Sequence, residues 1–262
     1  MFNYQDFLLY LLIILLMINK AKIILNNNSY NNFTVPNKNL YPFQWNWDSL
    51  ISSLGISTYN LERSIIEIET LFDSQWENGM LPHIIFHKKN NDYFPGETEW
   101  TSSTKIPTSC ITQPPISGNV LWNIYKNNVD CIDKDRIIKL FYKIFKNLKW
   151  FAEYRDIDNN GYISIIHPWE SGRDNSIEWD ESLKNIKVSQ NLKKYSRKDL
   201  RQIADDERPT REDYDKYLTI VEFGENCLWD KEKMFYDSPF NVVDIGVQFM
   251  FLRSLKDLLK IN

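Results

Sequence analysis

Glycine is scarce in this chain, with eight among 262 residues, and cysteine and histidine number three each. So few glycines, set beside long aliphatic runs, exclude an all-β sandwich and favour helices. Cys110, Cys131 and Cys227 lie far apart, are odd in number and form no Cys-x-x-Cys pair. That pattern indicates neither a disulfide framework nor a zinc site, and suits a reducing, cytoplasmic setting. His83, His87 and His167 make no metal cluster by spacing. The first two are four apart, but Pro82 and Ile84-Ile85-Phe86 fit a strand or loop rather than a ligand-bearing helix. Positive charge is not in excess either. A net charge of -4 leaves no footprint for a polyanion, so nucleic acid is not an expected partner.

What is abundant is aromatic and aliphatic. Nine Trp and a length sufficient for one large domain, or part of one, allow a sizeable core. Near the start, Phe7 to Ile18 form a run of twelve apolar residues. A bilayer needs about 20, so the run is short for a span. It is open to three readings: a signal-peptide core, a membrane anchor, or the first helix of the domain continued through Ala21, Ile24 and Leu25. Against a signal peptide, residues 2–6 carry Asp6 and no Lys or Arg, and no small-x-small cleavage site follows. Secreted or membrane-anchored placement is the alternative to the cytoplasm.

Helical periodicity then recurs along the chain. Asp48 is placed to cap a helix that opens with Leu50, Ile51 and Leu54. Leu61, Ile65, Ile68, Leu71 and Phe72 line the next. Another starts at about Ser117. Asp133 opens the clearest one, with Ile137, Phe141, Ile144, Phe145, Leu148, Phe151 and Ala152 on one side and lysines on the other. Pro209-Thr210 begins a helix faced by Tyr214, Tyr217, Leu218 and Val221. The last runs from about Val243, with Ile245, Phe249, Leu252, Leu255 and Leu259 aligned. About seven helices result, joined by loops, including a loop over 90–108 and a polar, Lys-rich segment over 181–206.

The loops carry the chemistry. Asp156-Ile-Asp-Asn-Asn-Gly161 mimics the start of an EF-hand loop, but its twelfth position is His167 instead of a bidentate Glu, and Pro168 follows. A tight polar turn is the better reading, and no metal is expected. The densest stretch is His167 to Asp180, with four carboxylates and two indoles in fourteen residues. Its apolar residues follow no period, and Pro168 and Gly172 interrupt any helix. Indole faces stack on sugar rings, and carboxylates bind hydroxyls or move protons. A buried turn with satisfied polar groups is the non-functional alternative.

Several segments, in order, resemble one group of enzymes: Tyr41-Pro-Phe-Gln-Trp-Asn-Trp-Asp-Ser49, Gly79-Met-Leu-Pro-His83, Thr112-Gln-Pro-Pro115, and His167-Pro-Trp-Glu-Ser-Gly-Arg-Asp-Asn-Ser176 with Trp179-Asp180. They are similar to the catalytic domain of mannosylglycerate and glucosylglycerate hydrolases and, more distantly, processing α-glucosidase I of glycoside hydrolase family 63. The resemblance spans about Lys20 to the C-terminus, leaving 1–19 as a leader or the start of the first helix. It implies an all-α fold, an (α/α)6 toroid of twelve helices, and inverting hydrolysis of an α-glycosidic bond. It assigns the general acid to Asp174. It lines the sugar subsite with Tyr41, Trp45, Trp47, Asp48, Gln113, Trp169 and Gly172, and sets Arg208 and Tyr214 against a glycerate carboxylate. A carboxylic acid between Trp169 and Trp179 is open to desolvation that keeps its proton available. A carbohydrate is the implied partner, and acid/base hydrolysis requires no cofactor.

One departure is large. In that group the general base is a Glu of the C-terminal half, and twelve helices with long loops need more than 262 residues. Glu170, Glu178 and Glu222 sit in no matching context. The expectation is an incomplete toroid of about seven helices whose last apolar faces lack partners, complemented by a downstream chain. The isolated chain is expected to be inactive, or else a non-catalytic sugar-binding protein.

Overall fold

The computed structural model describes residues 4–90, 93–100, 102, 104–197 and 208–261. Parts of the 90–108 loop (91–92, 101 and 103) and the end of the Lys-rich segment (198–207) lie outside the described residues. Ten α-helices are formed: α1 Tyr4–Asn27, α2 Asn46–Ser57, α3 Leu61–Phe72, α4 Glu97–Trp100, α5 Ser117–Lys126, α6 Lys134–Tyr154, α7 Asp180–Lys184, α8 Arg211–Asn226, α9 Lys231–Tyr236 and α10 Ile245–Leu258. Seven of them are ten residues or longer, and three are single turns or little more.

Capping residues set several of the starts. Asp133 accepts from the amides of Asp135 and Arg136 to open α6, Thr210 from Asp213 to open α8, and Asp244 from Gly246 and Val247 to open α10. Asp48 does not cap α2. That helix begins two residues earlier, at Asn46. The amide of Trp47 is satisfied from 66 residues away by the Gln113 side-chain carbonyl, at 3.1 Å.

The helices pack as a partial ring, an incomplete all-α toroid. α2 lies on α3 and α5, α5 on α6 and α10, and α6 on α3 and α10. An aliphatic core fills the space between them, with Leu50, Ile68, Leu71, Leu121, Ile144 and Leu258 fully or nearly fully buried. α5 and α10 approach closely at Gly118, whose amide donates to Ser254 Oγ at 2.7 Å. A Cβ there would fall 2.3 Å from the Ser254 carbonyl oxygen.

A second, aromatic core lies under the loops. It includes Phe43, Trp45, Trp100, Trp150, Trp169, Trp179 and Phe240. Two small antiparallel ribbons fix those loops. In one, β1 (Gln44–Trp45) pairs with β2 (Ile84–Ile85), Trp45 opposite Ile84. In the other, β3 (Ser164–Ile165) pairs with β4 (Val242–Val243).

The apolar face of the last helix lacks a partner, as expected of an incomplete toroid. On α10 the aligned residues Ile245, Phe249 and Leu252 point outward, at 73, 65 and 45% exposure, and Leu259 just beyond is also exposed. The buried side is carried by Val247, Ser254 and Leu258, with Phe251 partly covered. The helix is apolar nearly all round, so the stripe alone does not say which side the core takes. On α6, Phe145 likewise faces out. α1 departs differently. It runs unbroken past Ile18 to Asn27, and most of its apolar side chains are exposed.

The EF-hand-like segment is a turn. Asp156 accepts the amides of Asn160 and Gly161 at 2.8 and 2.9 Å, with Asn159 and Gly161 at positive φ. Its carboxylate is thus already engaged by its own loop.

Candidate active site

The site is built where three loops and the start of α2 converge. The Asn46 amide donates to the His83 carbonyl at 3.1 Å, and the His83 amide to the Ile111 carbonyl at 2.7 Å. This lashes together the segments that carry Trp47-Asp48, His83 and Gln113. Beneath them lies a buried polar knot. Glu67 accepts from the Thr34 amide and hydroxyl at 3.0 and 2.8 Å and from Ser49 Oγ, and it pairs with Arg63 at 2.8 Å. Gln44 donates to Ser49 Oγ at 2.8 Å and accepts from His87 Nε2 at 2.7 Å. Gln44 and Ser49 are thereby committed to holding Trp45–Asp48 in place.

The loop of Asp174 is clamped from several sides. His167 to Ser171 form a short 3-10 turn ended by Gly172 at φ 69°. His167 is fully buried. Its Nδ1 accepts the Trp169 amide at 3.1 Å, so Nε2 carries the proton and donates to the Tyr217 carbonyl, also at 3.1 Å. Glu170 is nearly fully buried and paired with Arg155 through two bonds of 3.0 and 2.6 Å. It also accepts the amides of Thr112 and Ile166, both at 3.1 Å. One carboxylate thus joins the acid loop to the strand leading into Gln113. Arg173 reaches Asp244 with bonds of 2.8 and 3.0 Å, binds Glu178, and lies over Trp179, 5.3 Å from its ring centroid. Trp179 Nε1 donates to the Arg173 carbonyl at 2.9 Å, and the Tyr217 hydroxyl to the Asp174 carbonyl at 2.8 Å.

The two carboxyls left facing the recess are Asp174 and Asp48. Asp174 is exposed to solvent at the mouth of the recess, with protein packed around its carboxyl. Desolvation, and then the neighbouring Asp48 charge, push its carboxyl up to about 7, against the opposing pull of Arg208 and a bond from its own backbone amide. Asp48 is raised to about 6 by desolvation, offset in part by its own backbone and by a bond from Gln113. Both carboxyls are thus held above the usual carboxylate range, and each charge opposes the other's ionisation. Gln113 faces both ways: its carbonyl accepts from Trp47 and its amide serves Asp48.

Aromatic walls surround the pair. Trp45 meets Tyr41 and Tyr93 edge-on, with centroids 5.4 Å apart in each case. Trp169 is stacked with His83 at 6.1 Å and also meets Tyr214 at 6.1 Å. Arg208 donates to the Tyr41 hydroxyl at 3.0 Å and is near enough to Asp174 to lower its pKa. Tyr214 donates to the Phe94 carbonyl at 3.0 Å. Asp174, Tyr41, Trp45, Trp47, Asp48, Gln113, Trp169, Gly172, Arg208 and Tyr214 are linked through these contacts and neighbouring charges into one cluster. An adjoining cavity of about 360 Å³, lined by Phe43, Phe86, Tyr93, Glu97 and Tyr195 among others, includes none of these ten.

The recess also holds residues that sequence reading did not single out. Tyr93 is enclosed by Tyr214, Tyr41, Asp174 and Arg208, and burial raises its hydroxyl well above the usual range. It came from a loop with no periodic signal. His83 is buried with Nδ1 lacking a partner among the described residues, and burial lowers its pKa to about 3. It lay in a motif but was read only as strand. Tyr217 read as a plain helix-face residue. The three other candidate carboxylates are accounted for elsewhere: Glu170 binds Arg155, Glu178 binds Arg173, and Glu222 lines a hollow with Pro95 and Leu218.

The model of the mannosylglycerate hydrolase MGH1-like glycoside hydrolase domain matches residues 41–262. This chain belongs to that glycoside hydrolase family. It is 40% identical to the mannosylglycerate hydrolase of Thermus thermophilus over 243 residues, which is 91% of this chain and 58% of that enzyme. It is 31% identical to the glucosylglycerate hydrolase of Mycolicibacterium hassiacum, covering 88% of this chain and 55% of that one. The crystal structure of the family 63 mannosylglycerate hydrolase from Thermus thermophilus in complex with Tris superposes with a TM-score of 0.89, over 93% of this chain and 58% of its own. The complex of that enzyme with Tris and D-glycerate gives 0.87 at 39% identity, covering 93% of this chain and 58% of its own. The chain thus spans a little over half the length of these relatives.

Proposed function

We propose that this chain is the acid-bearing part of an inverting glycosidase for glycerate-linked α-mannosides or α-glucosides. The observation that carries the reading is the Asp174–Asp48 pair, with the Asp174 carboxyl raised to about 7 near the Arg208 guanidinium. Asp174 donates its proton to the glycosidic oxygen as that bond breaks. Asp48 and Gln113 hold sugar hydroxyls, while Trp47 and Trp169 supply faces for the ring. Arg208 is the cation closest in effect to the acid, which places it on the aglycone side of the bond. A glycerate carboxylate there forms a charge-assisted pair with it. That pairing cancels the pull of Arg208 on Asp174 and keeps the proton on the acid until it is needed.

Inversion also needs a carboxylate on the far side of the sugar, roughly 6.5–9.5 Å from the acid, to activate water. Glu170 and Glu178 are engaged by arginines, and Glu222 lines a hollow with Pro95 and Leu218. The reading therefore draws the base from polypeptide beyond these 262 residues, in the same or a separate chain. The outward apolar stripe of Ile245, Phe249 and Leu252 is where the next helices would seat.

The test pairs this chain with a polypeptide corresponding to the remaining length of its relatives. Mannosylglycerate and glucosylglycerate are each to bind the chain without turnover, and hydrolysis is to appear on mixing, with a β-configured sugar as first product by NMR. Full turnover by the chain alone would defeat the missing base. Binding with no hydrolysis in any mixture would favour a non-catalytic sugar-binding protein.

A further inference from the structure

Helix α1 is the part of the molecule that the glycosidase reading leaves unexplained. It has 24 residues, about 36 Å at 1.5 Å per residue, against a hydrocarbon core of about 30 Å. Leu8, Leu9, Tyr10, Leu11, Ile13 and Ile18 are all 44 to 62% exposed and lie on every side of the helix. No charged residue lies between Asp6 and Lys20. An amphipathic helix resting on a protein or on a membrane surface would have a polar side, and this one does not. The exposed apolar area also far exceeds what a soluble chain tolerates in one patch.

Only its last turns touch the domain. Leu25 packs on Gly55 of α2, Asn26 Oδ1 accepts the Tyr59 hydroxyl at 3.2 Å, and Lys22 lies over the Tyr59 ring at 5.3 Å. The Phe7–Ile18 run is about 18 Å long by itself. Lys20 and Lys22 extend it, because their methylene stems lie in the apolar layer while the ammonium groups reach the headgroups.

We propose that α1 is inserted in a lipid bilayer and tethers the glycosidase domain to the membrane on its cytoplasmic side. Orientation follows from charge. Lys20 and Lys22 follow the run, whereas residues 1–6 hold no Lys or Arg, and the flank richer in Lys and Arg stays in the cytoplasm. The three unpaired cysteines fit that side. The geometry also sets where the site lies. Tyr59, at the end of α2, is held against the anchor, while Trp47 and Asp48 sit at the opposite end, about 16 Å along the helix axis. The sugar-facing residues thus lie at the end of α2 remote from the anchor's contact.

The full chain expressed in a bacterial host is to sediment with membranes, resist an alkaline carbonate wash and dissolve only with detergent. The double variant Leu12→Glu/Leu16→Glu changes side chains that face outward, so the domain is to keep its melting temperature while moving to the soluble fraction. The exposed thiol of Cys131 reports the side: a membrane-impermeant maleimide is to label it only after the inner membrane is permeabilised, with Cys131→Ser as the blank. A full-length chain recovered as a soluble monomer or oligomer overturns the anchor. So does a chain shortened at its N-terminus and found outside the inner membrane. Labelling of Cys131 in cells with an intact inner membrane overturns the orientation.

Discussion

Gly172 lies directly against the indole of Trp47: a Cβ at Gly172 would stand 2.5 Å from Cζ2 of that ring. The backbone there is left-handed, at φ 69°. The acid loop and the sugar-facing start of α2 therefore interlock through a residue that has room for hydrogen alone. Asp174, two positions on, takes its position from that fit.

Gly172→Ala is accordingly expected to lower stability by about 1–3 kcal/mol, the cost of a strained left-handed residue plus the displaced ring. Sugar affinity is expected to fall about tenfold as Trp47 tilts, since an aromatic face contributes on the order of 1 kcal/mol. Thermal melting and calorimetric titration with mannosylglycerate measure the two effects. Unchanged values in both would mean that Trp47 yields freely and the interlock has no function.

Glu170 and Arg155 are both buried, and removing one leaves the other uncompensated. Glu170→Gln is expected to destabilise the chain by about 3–5 kcal/mol in urea denaturation, whereas Arg155→Met together with Glu170→Gln recovers much of that loss. Because Glu170 also holds the Thr112 amide, the single variant is expected to weaken sugar binding through Gln113. A double variant no more stable than the single would show that the Thr112 and Ile166 bonds, not the ion pair, carry the energy.

Much of this was readable from residue types. Asp133 and Thr210 announced their helices because a cap is a local bond between neighbours. Bringing Asp174 together with Trp47 and Asp48 followed from the family resemblance, not from residue types alone. Asp48 was misjudged as a cap because the group that actually serves α2, Gln113, lies 66 residues away. The outward stripe of α10 agrees with the expectation that the last apolar faces of an unclosed ring lack partners. Tyr93 gave no signal, since a loop residue has no register from which to infer what encloses it. The roles of Glu170 and Gln44 also came only from structure: both look like polar members of a sugar motif and both are scaffolding.

His83 and His167 are buried and neutral, each held near pKa 3, while an unfolded chain titrates them near 6.5. Between those values the unfolded state binds more protons, so their contribution to stability is present above pH 6.5 and is lost as pH falls toward 3. In urea denaturation across that window, His83→Gln is expected to lose stability less steeply than the parent chain. Parallel slopes would place His83 in solvent contact that the structure does not show.

The opposite sign holds for Asp174. Its folded pKa, about 7, lies above the 3.8 of an exposed Asp, so between those values the folded state binds the extra proton. Stability from this group is therefore present at low pH and declines as pH rises from about 4 through 7. Above that range the parent chain holds two ionised carboxylates in one recess. Asp174→Asn removes one of them and is expected to melt higher than the parent at pH 8, with the difference shrinking toward pH 4. Asp48→Asn tests the cause. Without the Asp48 charge, the Asp174 carboxyl, followed by carbon-13 NMR, is expected to titrate below 7, though still above 3.8 because desolvation remains the larger influence. A titration unmoved by Asp48→Asn would mean that the two groups do not share the recess electrostatically. The charge coupling that helps keep the proton on Asp174 would then be absent.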